Sequence, residues 1–332
     1  MEKTSKADQS LANLKKLIEK EFIETDKLIK NQINSDIDRI PALSKHIIDL
    51  GGKRLRPILT LSCAKMLKVK NKNHIKLAAA VELLHTATLL HDDVVDESNY
   101  RRGKKTSHIL WDNKSSILVG DFLLGKAFQL MVETKSLECL QILSNAASII
   151  AEGEVFQLVE TNNVKIKKNK YIKIIESKTA ALFSSACVVG GIVSGANRTQ
   201  KKNLFDFGKN LGTAFQLIDD AMDYDGLSSK MGKNNGDDFF DGKITLPVIL
   251  AIKDSDKEEK DFWEKVFNKE VRNKSDLKKA KKIIKEKNTI NETLKLANVY
   301  GNNAKKIILK FESNLMRDGL IDLVNFSLIR NH

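Results

Sequence analysis

Apolar residues recur every three or four positions along most of this 332-residue chain, with charged and polar residues between them. In the segment that leads to residue 92, Leu77, Val81, Leu84 and Thr88 stand at i, i+4, i+7 and i+11, which places them on one helical face. No regular succession of strands and turns appears, so no sheet is predicted. The pattern therefore predicts an all-α protein.

The residues that interrupt helices are few and clustered. Proline occurs at three positions only, and Pro57 suits the first turn of a helix. The Gly- and Asn-rich stretch 226–242 predicts a loop, and its length indicates a mobile lid more than a tight connection. Between such breaks the pattern predicts helices near 9–31, 36–50, 56–68, 74–92, 114–135, 137–161, 169–193, 200–223, 245–252, 258–268, 274–287 and 290–314, followed by a short C-terminal helix.

Composition favours one large domain. The length admits two domains, but an apolar content of 42% can fill a substantial core, so we predict a single domain over residues 1–332. No uncharged run reaches the roughly 18 residues of a membrane helix, and residues 1–17 lack the apolar core of a signal peptide. The three cysteines form no CxxC pair, so we expect buried, reduced thiols and a cytoplasmic location.

The net charge of +13 raises the question of nucleic-acid binding. Lysine is spread along helix faces and loops, and aromatic residues, at 6% of the chain, do not interleave with the basic runs. A surface that stacks bases needs that interleaving, so we expect no nucleic-acid partner. Attraction to diphosphate substrates and to anionic lipid explains the sign of the charge.

Two aspartate clusters carry the clearest chemical signal. They read DDVVD at 92–96 and DDAMD at 219–223, each at the end of an apolar run. The first and last aspartates of each cluster share a helix face, where like charges repel unless a cation neutralises them. One such cluster is also typical of a solvated acidic face, but two copies favour a metal site. Oxygen ligands suit Mg²⁺, which also binds substrate phosphate. The candidate ligands are Asp92, Asp93, Asp96, Asp219, Asp220 and Asp223.

Arginine is concentrated in two short segments. The chain has nine arginines among 56 basic residues, and four of the nine lie within 51–57 and 101–103. The planar guanidinium holds phosphate oxygens in bidentate fashion, whereas lysine suffices for solubility. Together with the aspartate clusters, these arginines indicate a site for a metal-bridged diphosphate.

Five motifs occur in the order found in one known family. They are GGKRLRP at 51–57, LLHDDVVDESNYRRG at 89–103, KT at 178–179, FQLIDD at 215–220 and GKNNGDDFFDGKITLP at 232–247. On these motifs the chain resembles the trans-polyprenyl diphosphate synthases, which join isopentenyl diphosphate to an allylic diphosphate. The resemblance implies a single large helical bundle around a deep central cavity, with Mg²⁺ as the cofactor.

The resemblance also assigns residues to the two substrates. The positions that match the isopentenyl diphosphate site are Lys53, Arg56, His85 and Arg102. Those that match the allylic diphosphate site are Arg101, Lys178, Thr179, Gln216, Lys233 and Lys243. Apart from the motifs, His85 has the pattern of a buried structural histidine, and the lysines that of surface residues. Asp238 matches an acidic position of the family, and no role is assigned to Glu154.

Lys178, Thr179 and Gln216 are the predicted catalytic residues. Lys178 supplies positive charge to the leaving diphosphate. The carbocation that remains requires dipoles but no nucleophile, because a basic side chain would be alkylated. Thr179 and Gln216 meet that need. We expect the released diphosphate to accept the proton, since no side chain is an obvious dedicated base.

The residues before the first aspartate cluster bear on product length. Ala87 and Thr88 lie five and four residues before Asp92, where family members that make farnesyl diphosphate have bulky aromatic residues. Small side chains leave a shaft open for a growing tail, and we predict Ala87 as its uppermost gate. The cluster also lacks the two-residue insertion of short-product bacterial members. Both features resemble long-chain synthases, particularly the octaprenyl type that provides quinone side chains.

Several alternatives and partners accompany this prediction. The chain could be a shorter-chain synthase making geranylgeranyl or farnesyl diphosphate, or a non-catalytic subunit of a hetero-oligomeric synthase. A terpene cyclase or head-to-head condensing enzyme shares the metal-diphosphate chemistry but lacks a motif such as GGKRLRP. The resemblance implies a homodimer, and any membrane contact is expected to be peripheral, through the lipid product.

Overall fold

A computed structural model describes residues 6–225 and 236–329 of the chain, and within them the fold is all-α, as predicted. In chain order the helices are α1 Lys6–Leu17, α2 Glu19–Gln32, α3 Arg39–Asp49, α4 Leu55–Met66, α5 Asn73–Val95, α6 Ser107–Leu110, α7 Asn113–Glu133, α8 Leu137–Val159, α9 Lys168–Ile175, α10 Ala181–Ile192, α11 Arg198–Asp225, α12 Asp237–Phe240, α13 Leu246–Lys253, α14 Lys257–Phe267, α15 Lys274–Glu286, α16 Thr289–Ile308 and α17 Leu315–Ile329. A π-helical turn, Glu176–Ala180, joins α9 to α10.

Helices α5 and α10 form the centre of the bundle. Both are apolar around most of their circumference, so the surrounding helices bury them on nearly every side. Helix α5 packs against α4 and α7, while α10 packs against α4 and α11. One apolar core surrounds these contacts, and a second joins α9 and α11 to α13 through α16. The predicted buried thiols are confirmed, because Cys63, Cys139 and Cys187 are all free and buried.

Helices α10 and α11 pack closely enough for their backbones to meet. A Cβ atom at Gly208 would lie 2.6 Å from the carbonyl oxygen of Phe183 and 2.6 Å from the Cα of Ser184. At Gly212 it would lie 2.7 Å from the Cα of Ala180. Glycine at both positions therefore lets the two backbones touch, which fixes α11 and its aspartates relative to α10.

A short β-hairpin, missed by the sequence prediction, follows α5. Its strands β1 Tyr100–Arg101 and β2 Lys104–Lys105 are antiparallel, with Arg101 opposite Lys104. The two turn residues, Arg102 and Gly103, have φ of 52° and 75°. Positive φ at both central residues is characteristic of a type I′ turn, which matches the twist of the flanking strands.

Several predicted helix boundaries differ from the structure. The helix predicted at 9–31 divides at Ile18, because α1 packs against α17 whereas α2 packs against α5, and one straight helix could not face both. The helix predicted at 169–193 contains the π-helical turn. The short C-terminal helix is the 15-residue α17. Within the predicted lid loop 226–242, the four residues of α12 are helical, and 226–235 lie outside the described residues.

Helices α7 and α8 expose an unusual amount of apolar surface. By length and composition alone each could cross a membrane. In the most apolar 18-residue stretch of each helix, only 39% of α7 and 22% of α8 is buried within the protein. Leu118, Val132, Val155 and Val159 are each at least 60% exposed. Two such helices are a weak indication of membrane spans, since helices of water-surrounded folds meet the same criteria.

The contact between α10 and α11 generates a stability prediction. Gly208→Ala should lower the free energy of unfolding by about 1–3 kcal/mol, because the new methyl group meets backbone atoms that cannot move independently. Gly319→Ala in α17 is the matched control, since a Cβ there meets only the flexible end of Leu14. The control should stay within about 1 kcal/mol of the original chain, helped by the helix propensity of alanine. Urea denaturation measures both, and equal losses would contradict the argument.

Candidate active site

A cavity of about 880 Å³ lies between α4, α5, α8, α9, α10 and α11. Helix α5 ends at Val95, and the described part of α11 ends at Asp225, so both aspartate clusters lie near these ends. The clusters and the loops at 51–54 and 101–103 line the same cavity. The structure thereby brings acidic and basic motifs into one site, although the motifs are far apart in the chain.

The first aspartate cluster is divided in its orientation. Asp92 and Asp96 line the cavity, whereas Asp93 does not line it and is 1% exposed. Arg101 donates to Asp93 Oδ1 from Nη2, at 2.6 Å, and from Nε, at 2.8 Å. Successive residues of a helix point about 100° apart, which separates Asp93 from its neighbour. The geometry thus differs from the expectation for Asp93, which orients Arg101 here and does not face the cavity.

The second aspartate cluster lines the cavity with all three carboxylates. Asp220 accepts hydrogen bonds from the hydroxyl of Tyr171, at 2.6 Å, and from Nε2 of Gln216, at 2.7 Å. Asp223 accepts from the backbone N–H groups of Gly236 and Asp238, both at 3.2 Å. Asp220 and Asp223 therefore already have protein donors.

The electrostatics of the aspartates fit a cation. Burial raises the pKa of Asp92 to about 7, even though Lys178 acts in the opposite direction. Burial and the charge of Asp238 raise the pKa of Asp220 to about 8. Among the described residues, no three His, Cys, Asp or Glu side chains converge on one point. Buried oxygen donors that leave positions open are the type of set that Mg²⁺ combines with water and substrate phosphate.

Arg56 and His85 form the buried part of the basic region. Arg56 donates from Nη1 to Nε2 of His85, at 2.9 Å, and its guanidinium lies 4.8 Å from the ring centroid of Phe183. Because a guanidinium only donates, Nε2 of His85 must accept and its proton lies on Nδ1. Burial, followed by the charge of Arg56, holds the pKa of His85 well below its ordinary value. Burial lowers the pKa of Arg56 to about 10, so it remains charged at neutral pH.

The arginine motifs meet at Gly52. This residue has φ of 145°, and a Cβ atom on it would lie 2.7 Å from Nη1 of Arg102. The guanidinium of Arg102 therefore packs directly against the backbone of Gly52. Beside it, Nζ of Lys53 lies 4.5 Å from the ring centroid of Phe326 in α17. Arg54 lines the same cavity and forms a 2.6 Å ion pair with Glu82.

The predicted lysines have carboxylate partners in the cavity wall. Nζ of Lys178 lies 2.7 Å from Oε2 of Glu154 and 2.9 Å from Oε1 of Gln157. Nζ of Lys243 lies 2.8 Å from Oδ2 of Asp96. Lys233, the third predicted lysine, lies outside the described residues.

Thr179 and Gln216 belong to a chain of hydrogen bonds. Thr179 Oγ1 donates to Oε1 of Gln216, at 2.7 Å, and Gln216 in turn donates to Asp220, which Tyr171 also contacts. The π-helical turn carries Thr179, and such turns are frequent at functional sites. This chain fixes the orientation of the Gln216 amide, so that its dipole is set before any ligand binds.

Two cavity residues escaped the sequence prediction. Glu154 had no assigned role, and its pairing with Lys178 depends on Gly153, where a Cβ would lie 2.7 Å from that of Ser177. Tyr171 lies in a lysine-rich run that reads as a solvated face, yet it is only 3% exposed. Its position in the sequence, seven residues before Lys178, was the available signal, because that spacing corresponds to two helical turns.

The predicted product-length residues are placed differently from each other. Thr88 lines the cavity, and its hydroxyl donates to the carbonyl oxygen of His85 at 2.9 Å. Ala87 is 1% exposed and does not line the cavity described above. This arrangement departs from the expectation that Ala87 is the uppermost gate, and the cause is again the rotation between successive helical residues.

Comparison with known proteins decides the family. The polyprenyl synthetase family model matches residues 38–284, which is most of the chain. The chain belongs to the polyprenyl synthetase family. Membership confirms the resemblance inferred from the motifs, and it makes the chain a trans-prenyl diphosphate synthase.

Individual members of the family are similar over most of their length. Octaprenyl diphosphate synthase of Escherichia coli (strain K12) is 44% identical over 243 residues, 73% of this chain and 75% of that protein. The all-trans-nonaprenyl-diphosphate synthase (geranyl-diphosphate specific) of Rhodobacter capsulatus is 41% identical over 246 residues, 74% of this chain and 75% of that protein. The crystal structure of a polyprenyl synthase from Caulobacter crescentus CB15, complexed with calcium and isoprenyl diphosphate, has a TM-score of 0.94 and 43% identity, and covers 97% of this chain and 98% of that one.

The contact between Gly52 and Arg102 generates a binding prediction. Gly52→Ala should weaken the binding of inorganic diphosphate about three- to tenfold, because the methyl group displaces the guanidinium and costs about 1 kcal/mol. Isothermal titration calorimetry measures the affinity. Gly51→Ala is the matched control, since Gly51 also has positive φ, 75°, but a Cβ there meets nothing within 4 Å. Equal affinities of the two variants would show that Arg102 does not depend on Gly52.

Proposed function

We propose that the chain condenses isopentenyl diphosphate with an allylic diphosphate, with farnesyl diphosphate as the starter, and repeats the step to a long all-trans product of about eight units. The observation that carries this proposal is one cavity with buried carboxylates in one part and clustered arginines in another. A single diphosphate would need only one of these groups. Two oppositely built subsites in one cavity suit two diphosphate substrates that must react with each other.

The acidic part suits the allylic substrate. Asp92, Asp96 and Asp219 are the residues that would hold Mg²⁺, because they line the cavity near both helix ends. Held by these carboxylates, Mg²⁺ would supply positive charge that stabilises the negative charge of the leaving diphosphate. Asp93, Asp220 and Asp223 support this arrangement by holding, respectively, Arg101, the Gln216 amide and the backbone of residues 236–238.

The cationic residues divide between the substrates. Lys178 and Lys243 already contact carboxylates of the acidic part, so they supply positive charge to the allylic diphosphate. Arg101 is directed to the same side by Asp93. Lys53, Arg56, His85 and Arg102 surround the other subsite, where they would hold isopentenyl diphosphate. Lys233 is assigned to the allylic diphosphate by the motif alone.

The chemistry requires no protein nucleophile. Breaking the allylic carbon–oxygen bond leaves a carbocation and a diphosphate that carries the electron pair. The hydroxyl of Thr179 and the amide of Gln216 turn fixed dipoles toward the carbocation, and their hydrogen bond to each other holds them in place. The double bond of isopentenyl diphosphate then forms the new carbon–carbon bond, and the released diphosphate takes the proton that is lost.

The long product is supported by two observations. The relatives with 41% and 44% identity are nonaprenyl and octaprenyl diphosphate synthases, whereas the geranylgeranyl diphosphate synthase of Saccharolobus solfataricus is 34% identical. The small side chain of Thr88, which lines the cavity four residues before Asp92, leaves room beneath the first aspartate cluster. We therefore place a product of about eight units, suited to quinone side chains, ahead of a shorter one. A non-catalytic subunit role is disfavoured, because both aspartate clusters and the arginine pair are retained.

The exposed apolar surface of α7 and α8 supports a homodimer. Leu118 and Val132 on α7 and Val155 on α8 are exposed apolar side chains, which a partner surface would shield from water. A second copy of the chain offers the same surface, and an isologous interface would bury both. We place the dimer in the cytoplasm, where contact with a membrane serves only to deliver the lipid product.

Sizing the reaction products tests the proposal directly. The purified chain is incubated with Mg²⁺, farnesyl diphosphate and labelled isopentenyl diphosphate, and the dephosphorylated products are separated by chromatography. A product near eight units supports the long-chain function. A product that stops at three or four units would assign the chain to the shorter synthases, and no incorporation would refute catalysis.

The aspartates generate a metal prediction. Asp92→Asn should reduce turnover by two orders of magnitude or more, because the metal site loses a charged ligand. The resulting loss of transition-state stabilisation should be about 3 kcal/mol or more. Stability should not fall, since a buried carboxylate with a raised pKa is removed. Asp261→Asn, at an exposed position of α14, is the control. Full condensation by the original chain in excess chelator would exclude a metal mechanism.

The residues above the shaft generate a product-length prediction. Thr88→Tyr and Ala87→Tyr should each shift the product from about eight units toward three or four, because close-packed interiors do not absorb a ring and the tail meets it. Since Thr88 lines the cavity, its effect should be at least as strong as that of Ala87, which reverses the order expected from the sequence. Ala87→Ser, the small control, should keep the long product. Unchanged products from an active Thr88→Tyr variant would show that the tail follows another path.

A further inference from the structure

We propose that Arg272 is a positioning residue for Lys243. Arg272 lies between α14 and α15, and it does not line the cavity. Its guanidinium holds the backbone segment 240–242, which leads directly into Lys243. The proposal rests on the function above, in which Lys243 serves the allylic diphosphate.

Arg272 is a buried cation that bonds no carboxylate in the described structure. It is 8% exposed, and its Nη1 donates to the carbonyl oxygen of Phe240 at 2.8 Å. Its Nη2 donates to Oδ1 of Asn162 and to the carbonyl oxygen of Phe267, the latter at 3.3 Å. The guanidinium also lies 5.1 Å from the ring centroid of Phe267. Burying a guanidinium is costly unless its donors are hydrogen-bonded, and here these carbonyl and amide oxygens accept from it.

Asn162 holds the other end of segment 240–242, at Gly242, by a hydrogen bond. Its backbone N–H donates to the carbonyl oxygen of Gly242 at 2.9 Å, while its side chain accepts from Arg272. Asn162 has φ of 63° and Gly242 has φ of 76°. A Cβ atom at Gly242 would collide with the Asn162 side chain, so this approach requires glycine. Arg272 and Asn162 together therefore fix the carbonyl groups at both ends of 240–242.

Segment 240–242 sets the position of Lys243, which directly follows it in the chain. Its backbone N–H donates to the carbonyl oxygen of Asp238 at 2.8 Å, and its Nζ lies between Oδ2 of Asp96, at 2.8 Å, and Oδ2 of Asp241, at 3.0 Å. The ammonium group is thus set beside the first aspartate cluster by backbone from the segment that joins α12 to α13. A lysine side chain has several rotatable bonds, so the placement of its backbone decides where its charge can reach.

Two readouts separate positioning from a purely structural role. The first is the rise in melting temperature caused by Mg²⁺ with inorganic diphosphate, which requires no catalysis. The second is the Michaelis constant for each substrate. Arg272→Gln should reduce the melting-temperature rise and increase the constant for farnesyl diphosphate about tenfold. The constant for isopentenyl diphosphate should change less than twofold, because Lys53, Arg56 and Arg102 lie in the other part of the cavity. Arg272→Lys, which cannot reach both carbonyl groups in the same planar geometry, should recover only part of the loss.

Arg317→Gln is the matched control. Arg317 also bonds a backbone carbonyl, that of Phe311, but it lies at the start of α17 and away from the cavity. This variant should leave both readouts unchanged. If it alters them as much as Arg272→Gln does, the effect of Arg272 is a general loss of stability and the proposal is wrong.

A double-mutant cycle tests whether Arg272 acts through Lys243. In a Lys243→Gln background, Arg272→Gln should cause less than a twofold further change, because the group that it positions is already absent. Independent, multiplicative losses would overturn the proposal. If Arg272→Gln does not fold, Asn162→Gly replaces it in the cycle, since glycine keeps the left-handed backbone and removes only the amide. If the original chain shows a normal rise in melting temperature but no condensation, the proposed function is refuted. The double-mutant cycle then still tests positioning, with the rise in melting temperature as its readout.

Discussion

Buried carboxylate charge is the constraint to which the surrounding structure responds. Asp92 and Asp220 lie where burial alone favours their neutral forms, and further acidic side chains line the same cavity. The fold accommodates this by giving the supporting aspartates fixed donors: an arginine for Asp93, a tyrosine and an amide for Asp220, and backbone N–H groups for Asp223. The glycine-mediated contact between α10 and α11 then holds the second cluster at a defined distance from the π-helical turn.

The basic groups are organised by the same principle, since each is held by a neighbour that limits its motion. Arg56 stacks near Phe183 and bonds His85, while Lys53 lies over Phe326. Such preorganisation lowers the entropic cost of binding a diphosphate, because the cationic side chains are already ordered and lose little conformational freedom when the ligand binds. The cavity is therefore a set of charges placed in advance, and the helices serve chiefly to fix where each one stands.

Much of the fold and site followed from local patterns, and the remainder depended on distant partners. Helical periodicity predicted the long helices because burial of one face repeats every few residues. The aspartate clusters were also evident from local sequence, because the three aspartates of each lie within five consecutive residues. The division at Ile18 was not, because it reflects the separate partners of α1 and α2. Tyr171 was missed because its partner, Asp220, lies 49 residues away. The hairpin strands, two residues each, are too short to show alternation, although Gly103 marked their turn.

The type I′ turn at Arg102 has a consequence for how the two substrates communicate. It sends adjacent arginines in different directions, Arg101 to Asp93 and Arg102 to the backbone of Gly52. Under the proposed function, neighbouring residues of one tight turn would therefore bind the two diphosphates. A shift of this turn toward one diphosphate would move the residue that binds the other. The two binding free energies would then be linked, and by thermodynamic reciprocity each substrate would change the affinity for the other to the same degree.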